Sequence, residues 1–289
     1  MSYVLSWHVC EQELESAVSL LSELVPWGWE EVTRQNGAIL RIHVHEHKQL
    51  KQLQGRVRQR WPKAKLETGR ERDEDWQTAW QFFFQPVEVA GTFCILPPWK
   101  AHEQRKNELI PLIIDPKMAF GTGHHPTTNL CLRAMVEVKS RGLWPKGETI
   151  LDVGTGSGIL AIAAAHLGAF CVAMDNDPVA MDNARENVRA NEVTRYVHLF
   201  CGDANSLDSK HTYPLVVANI LAGPLIRMAP NLAGLVAPGG TLILSGVLIS
   251  QVDSVCQAYA LQGLRCPQVE HLGEWASIMW LGSGEKQTV

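Results

Sequence analysis

Between Thr149 and Asp175 the chain carries an apolar strand, a turn of three alternating glycines, an alanine-rich helix and a second apolar strand that ends on an acid. No other stretch restricts the fold as tightly. The turn reads Asp152-Val-Gly-Thr-Gly-Ser-Gly158. Its glycines let the backbone bend sharply and approach a ligand closely. Thr149 to Val153 is expected as the first strand, Ile159 to Leu167 as the helix closed by Gly168, and Phe170 to Met174 as the second strand. Asp177-Pro178 then supplies an N-cap and a first helical residue for a helix ending near Asn191.

The alternation continues along the chain. Pro126 suits the first turn of a helix through Lys139, and Val197 to Cys201, Leu215 to Ala218 and Thr241 to Leu244 are further strands. Strand and helix in turn imply a parallel sheet covered on both faces, an α/β fold. Two short apolar runs, Gln268 to Leu272 and Ser277 to Leu281, lie close together and are expected to pair antiparallel at the sheet edge. The uncharged run Met228 to Val252 has the length of a membrane span. Pro230, Pro238, Gly239 and Gly240 break it into a helix, a turn and a strand.

At 289 residues the chain has length for about two domains. Tyr3, Leu5, Trp7 and Val9 alternate as in a half-buried strand, and Leu14, Val18, Leu21 and Val25 recur at helical spacing. Asn36-Gly37 signals a hairpin between Glu30 to Arg34 and Ile39 to His45. Leu50, Leu53, Val57 and Trp61 give a second helix, stopped by Pro62. Strand, helix, strand, strand, helix suits a small α+β sandwich of the split βαβ, ferredoxin-like kind over residues 1–62. Residues 63–117, charged from Lys63 to Asp75 and then aromatic with short strand-like pieces from Val87 to Pro98 but no clear period, are expected as a partly ordered linker, and 118–289 as the α/β domain.

The glycine spacing selects the ligand. A dinucleotide fingerprint needs its third glycine at position 159, where this chain has Ile159, so a nicotinamide oxidoreductase is disfavoured. The loop resembles instead the G-x-G-x-G of S-adenosylmethionine enzymes. Asp175, 21 residues after Gly154 at the end of the next strand, is placed to accept both ribose hydroxyls of an adenosine, with Asn176 beside it.

Three further segments narrow the reading: Ala119-Phe-Gly-Thr-Gly-His-His-Pro-Thr-Thr128, Val216-Val-Ala-Asn-Ile-Leu-Ala222, and Asp73-Glu-Asp-Trp76 followed by Leu96-Pro-Pro-Trp99. With the glycine loop they make nearly the whole chain resemble the ribosomal protein L11 methyltransferases. That resemblance implies a Rossmann-like, mostly parallel seven-stranded methyltransferase sheet with an antiparallel edge strand. It also implies a small N-terminal substrate-recognition domain, S-adenosyl-L-methionine as cofactor and S-adenosyl-L-homocysteine as product. The activity implied is protein-lysine methylation in the cytoplasm, on lysine side chains and the N-terminal α-amine of ribosomal protein L11. Cofactor contacts would come from Thr128, Gly154, Asp175 and Asn219, with Gly156, Asn176 and the Phe120, Gly121 and Thr122 segment completing the set. Asn219, just after a strand, is expected to orient the incoming amine. Its successors Ile220-Leu221 replace the Pro-Pro-aromatic of many amino-group methyltransferases, which argues against a planar base or amide as acceptor.

Other features carry less. Seven cysteines at long spacings, with no Cys-x-x-Cys, suggest reduced thiols, and Met1 to Glu15 lacks the pattern of a secretory signal. No metal is expected: His124 and His125 have no carboxylate or thiol at ligand spacing, and His43, His45 and His47 find no fourth ligand. Asp203 is a candidate for the adenine side of the site. A net charge of -4 excludes bulk attraction to nucleic acid or membrane as the leading idea. The basic stretch from Lys48 to Arg72 nevertheless leaves room for a weak contact with ribosomal RNA, and for an RNA methyltransferase as the alternative function. A non-catalytic binding module would bind the cofactor and transfer nothing.

Overall fold

A computed structural model describes residues 2–25, 29–34, 37–44, 47–71, 85–101, 109–115, 125–207 and 211–283. The chain divides into two compact units, Met1–Phe84 and Gln85–Val289.

In the first unit, β1 (Ser2–Cys10), α1 (Glu11–Leu24), β2 (Glu30–Arg34), β3 (Gly37–Val44), α2 (His47–Arg60) and β4 (Lys65–Glu71) follow one another. They build an antiparallel sheet of order β2-β3-β1-β4. Strict alternation along β3 buries Ala38, Leu40, Ile42 and Val44 on one face, the period of two that a sheet covered on one side requires. These side chains meet Leu5, Trp7 and Val9 from β1, Leu21 from α1 and Leu50, Leu53 and Val57 from α2 in one core. The hairpin pairs Arg34 with Gly37; the turn residues themselves, Asn36 included, lie outside the described residues. His47 opens α2 rather than continuing the strand, so the alternating histidines do not share one strand face.

The second unit begins with a small sheet of β5 (Val87–Val89), β6 (Phe93–Leu96) and β7 (Ile110–Ile113). The stretch expected as a linker therefore contains β4 of the first sheet and three strands of the second unit. In β4 only Leu66 among the described side chains turns inward, the rest being exposed, so an edge strand reads as a charged run. Phe93, Ile95, Leu112 and Ile114 enter the core of the second unit.

The main sheet has seven strands: β8 (Thr149–Val153), β9 (Phe170–Asp175), β10 (Val197–Cys201), β11 (Tyr213–Asn219), β12 (Val236–Leu248), β13 (Gln268–Leu272) and β14 (Trp275–Ser283). Their order is β10-β9-β8-β11-β12-β14-β13. Strands β8 to β12 are mutually parallel where they pair, while β14 runs antiparallel to β12 and pairs with β13, as the closing apolar runs imply. Helices α3 (Pro126–Ser140), α4 (Ile159–His166) and α5 (Pro178–Ala190) precede or link the first strands. Helices α6 (Ala222–Arg227), α7 (Ala229–Gly234) and α8 (Val252–Ala260) follow.

Two clusters cover the sheet. One joins Ile150 and Val217 to α3, α4 and β5 to β7; the other joins Leu151, Val153 and Ala218 to α6, α7 and α8. Every residue from Ile159 to Ala165 is buried, as expected of a helix that is apolar all round. All seven cysteines are free thiols. Among the described residues no helix is long and apolar enough to cross a membrane.

Candidate functional site

Strand order reverses at β8: β9 lies on one side and β11 on the other. Connections leaving β8 and β11 diverge there, so a crevice opens at the carboxyl ends of the strands, where open α/β sheets bind ligands. A cavity of about 750 Å³ occupies this position. Its lining includes Gly154 after β8, Asp175 at the end of β9 with Asn176 beyond it, Asp203 after β10, and Asn219 at the end of β11 with Ile220 and Leu221 beyond it.

Backbone geometry shapes its floor. Gly154 has φ +72°, and a Cβ there would lie 2.4 Å from Cγ2 of Ile220. Gly246 in β12 has φ +82°, and a Cβ there would lie 2.2 Å from the Ile220 carbonyl oxygen. Two elements thus press on Ile220 from opposite neighbours of β11, and only glycine permits both approaches. The loop is fastened to the next strand by N–H groups of Gly154 and Thr155, both donating to the Met174 carbonyl at 2.9 Å.

Asp175 organises the loop. Its Oδ2 accepts the Gly156 N–H at 2.9 Å and its Oδ1 accepts the Asp177 N–H at 3.0 Å. One acid therefore ties the glycine loop to the start of α5 while facing the cavity. Below it, Asp152 is fully buried and accepts the Thr155 hydroxyl through Oδ2 at 2.6 Å. Desolvation pushes its pKa up to about 7; the nearby Asp175 charge adds to the rise, and the Thr155 hydroxyl opposes it.

Asn219, at the end of β11, is 8% exposed. Its Nδ2 donates to Thr128 Oγ1 at 3.4 Å, joining β11 to the first turn of α3. Its Oδ1 is buried and has no hydrogen-bond partner. A buried acceptor without a partner is costly unless a ligand supplies the donor. At the head of α3, His125 caps the helix: Nδ1 accepts the Thr127 N–H at 3.3 Å and lies 2.8 Å from Thr127 Oγ1. Its ring meets Trp275 edge-on at 4.8 Å.

The sequence-expected residues fall into three groups. Gly154, Asp175, Asn176 and Asn219 line one cavity, as does Asp203. Gly156 and Thr128 are hydrogen-bonded to lining residues. Phe120, Gly121, Thr122 and His124 lie outside the described residues. Sequence reasoning missed Trp275, Gly246 and the α6 residues Pro224 and Arg227 as lining groups. The Trp275 position follows from topology. Because β14 is antiparallel to β12, its first residue pairs with Leu248 and so sits at the carboxyl ends of the parallel strands.

The orphaned Asn219 oxygen, the paired acid on β9 and the close backbone approach at Gly154 fit an adenosine-bearing sulfonium cofactor. With the strand order, they define a class I S-adenosylmethionine-dependent methyltransferase. Residues 19–281 match the family model described as ribosomal protein L11 methyltransferase (PrmA). Among curated relatives, the ribosomal protein L11 methyltransferase of Heliobacterium modesticaldum is 41% identical over 223 residues, 76% of this chain and 68% of that protein. Its counterpart from Halalkalibacterium halodurans is 40% identical over 213 residues, 72% of this chain and 64% of that protein. The matched stretch thus spans about two thirds of those relatives. A solved structure of ribosomal protein L11 methylase from Lactobacillus delbrueckii subsp. bulgaricus superposes with TM-score 0.61 at 30% identity, covering 68% of this chain and 97% of that one. The chain belongs to the ribosomal protein L11 methyltransferase family.

Proposed function

We propose that this protein transfers methyl groups from S-adenosylmethionine to amines of ribosomal protein L11, both lysine side chains and the N-terminal α-amine. The observation that carries the reading is the buried, unpartnered Oδ1 of Asn219 beside a cavity whose other wall presents Asp175. When bound, the cofactor supplies an electrophilic methyl on a sulfonium and leaves as the neutral thioether. Asp175 would hold the ribose hydroxyls, the Gly154 to Gly158 backbone would admit the cofactor closely, and Thr128 steadies Asn219. Gly156 and Asn176 complete this set, together with the segment carrying Phe120, Gly121 and Thr122.

Asn219 Oδ1 accepts an N–H of the neutral acceptor amine and so aims its lone pair at the methyl carbon. Held there, the amine nitrogen would accept the methyl group that the cofactor supplies, and the amine proton would pass to water. No dedicated base is needed, because desolvation and a neighbouring cation both lower an amine pKa from its ordinary range of about 8 to 10.4. What the protein adds is orientation, worth on the order of 7 to 11 kcal/mol. Trp275 supplies an apolar wall of the kind that an alkyl chain or a methylated ammonium packs against.

Mass spectrometry of ribosomal protein L11 from a strain lacking this protein tests the substrate: loss of methyl groups is expected, and unchanged methylation refutes the assignment. Asn219→Ala is expected to lower kcat about 100-fold with a smaller change in cofactor Kd, and full turnover would remove its aiming role.

A weak contact with ribosomal RNA is a second, subordinate reading. It is favoured by α2, which carries Lys48, Lys51, Arg56, Arg58 and Arg60 and no acid. Salt-dependent RNA binding lost on charge reversal at Arg56, Arg58 and Arg60 is the expected result.

A further inference from the structure

Helix α5 and the residue after it carry asparagines at 183, 187 and 191, spaced one helical turn apart and therefore on one face. All three are buried, at 4%, 1% and 7% exposure, an unusual concentration of amides in an apolar layer. Asn191 grips both main-chain groups of Ile113: its Oδ1 accepts the N–H at 2.8 Å and its Nδ2 donates to the carbonyl at 2.7 Å. Asn187 makes a different connection. Its Oδ1 accepts the Asp115 N–H at 2.9 Å, while its Nδ2 donates to the Ser157 carbonyl at 2.8 Å.

Ser157 belongs to the glycine loop, and its carbonyl is part of the peptide that leads into Gly158, the left-handed N-cap of α4. Within the loop the N–H of that peptide donates to the Thr155 carbonyl at 2.9 Å, while its carbonyl, between two glycines, is held from outside the loop by Asn187. Inside the loop, Asp175 holds the Gly156 N–H from the cavity side. Asn187 holds the Ser157 carbonyl, two peptides further along the loop.

We infer that Asn187 is a positioning residue of the cofactor site: by fixing the Ser157 carbonyl it sets the curvature of the Gly154 to Gly158 loop. It does so while anchored on Asp115, and it is not itself among the residues that line the cavity. The inference rests on the reading of that cavity as the S-adenosylmethionine site. Asn191, which holds the same strand end but not the loop, is its built-in control.

The test uses titration calorimetry of the full-length chain with S-adenosylhomocysteine, alongside melting temperatures measured separately. Asn187→Asp preserves shape but, when ionised, replaces the donor to Ser157 by a second acceptor. Affinity is expected to fall about tenfold relative to wild type at pH 8. At pH 5 the substituted carboxyl, whose pKa burial raises, is protonated. It then donates to Ser157 and accepts from Asp115, so the ratio to wild type is expected to return to within about twofold. Asn191→Ala is expected to lower the melting temperature and leave Kd within about twofold at both pH values.

Equal loss of affinity in the two variants, or wild-type affinity of Asn187→Asp at pH 8, overturns the positioning role. Failure of wild type to bind S-adenosylhomocysteine would instead overturn the reading of the cavity, and the inference with it. Should Asn187→Asp not fold, hydrogen exchange on wild type decides. Ligand binding is expected to slow exchange of the Asp115 N–H, which lies outside the cavity lining, and an unchanged rate refutes the coupling.

Discussion

Asp175 carries two backbone N–H groups before any ligand is present, so its carboxylate is held in place at no cost to the cofactor. Charge-assisted hydrogen bonds of this kind contribute about 1.5 to 3 kcal/mol. Asp175→Ala is accordingly expected to raise the S-adenosylhomocysteine Kd by about 10- to 100-fold, measured by calorimetry. Asp152 behaves oppositely. Its folded pKa of about 7 exceeds the unfolded value of about 3.9, so the folded state holds the proton more tightly. The stability this confers is complete below about pH 4 and lost as pH rises through about 7, a span on the order of 4 kcal/mol. Urea melts of Asp152→Asn are expected to lack most of that decline between pH 4 and 7. The acid at 152 and the acid at 175 look alike in the sequence. Burial of one and partial exposure of the other, a consequence of their places on β8 and β9, separate their chemistry.

At the scale of elements, the parallel strands and helices α3, α4 and α5 were legible because each is apolar or amphipathic, and the helices begin at a proline, a cap or a glycine. The short α6 and α8 carried no such signal. Strand β8 and the cap at Asp177 appear as the sequence pattern places them, the cap accepting the Val179 N–H at 2.9 Å. Strand β12 is longer than its apolar run suggests. It starts at Val236, and its pairing with β11 shifts between Tyr213 and Leu215, which accommodates Pro238, Gly239 and Gly240 within the strand rather than in a separate turn. Within this strand the glycines differ in role. Gly246→Ala is expected to cost at least about 2 kcal/mol, because its Cβ would strike the Ile220 backbone. Gly239→Ala, with nothing within 4 Å of the new Cβ at φ +73°, should cost only the backbone strain of about 1 kcal/mol. Denaturant midpoints of the two variants, compared at equal slope, check the difference.

For the whole molecule, the buried clusters among the described residues are segregated: one is built from residues of the first unit, and two from the second. A fragment of residues 85–289 is therefore expected to fold and to bind S-adenosylhomocysteine within about threefold of the full chain, while losing most turnover on ribosomal protein L11. Circular dichroism, calorimetry and a methyl-transfer assay check the three parts. By itself the sequence determined the class of sheet, the glycine loop and its acid, because local spacing and periodicity encode strands, helices and sharp turns directly. It also exposed Asn219, through the motif around it. Only the tertiary structure decided that Trp275 and Gly246 enter the site, that Asn187 reaches the loop, that β4 and β7 are strands, and that the strand-like pieces at β5 and β6 belong to a sheet of the second unit. Those facts depend on which distant segments meet. Contacts between residues 70 or more positions apart, such as that of Asn187 with Asp115, leave no periodic signature in the segments that make them.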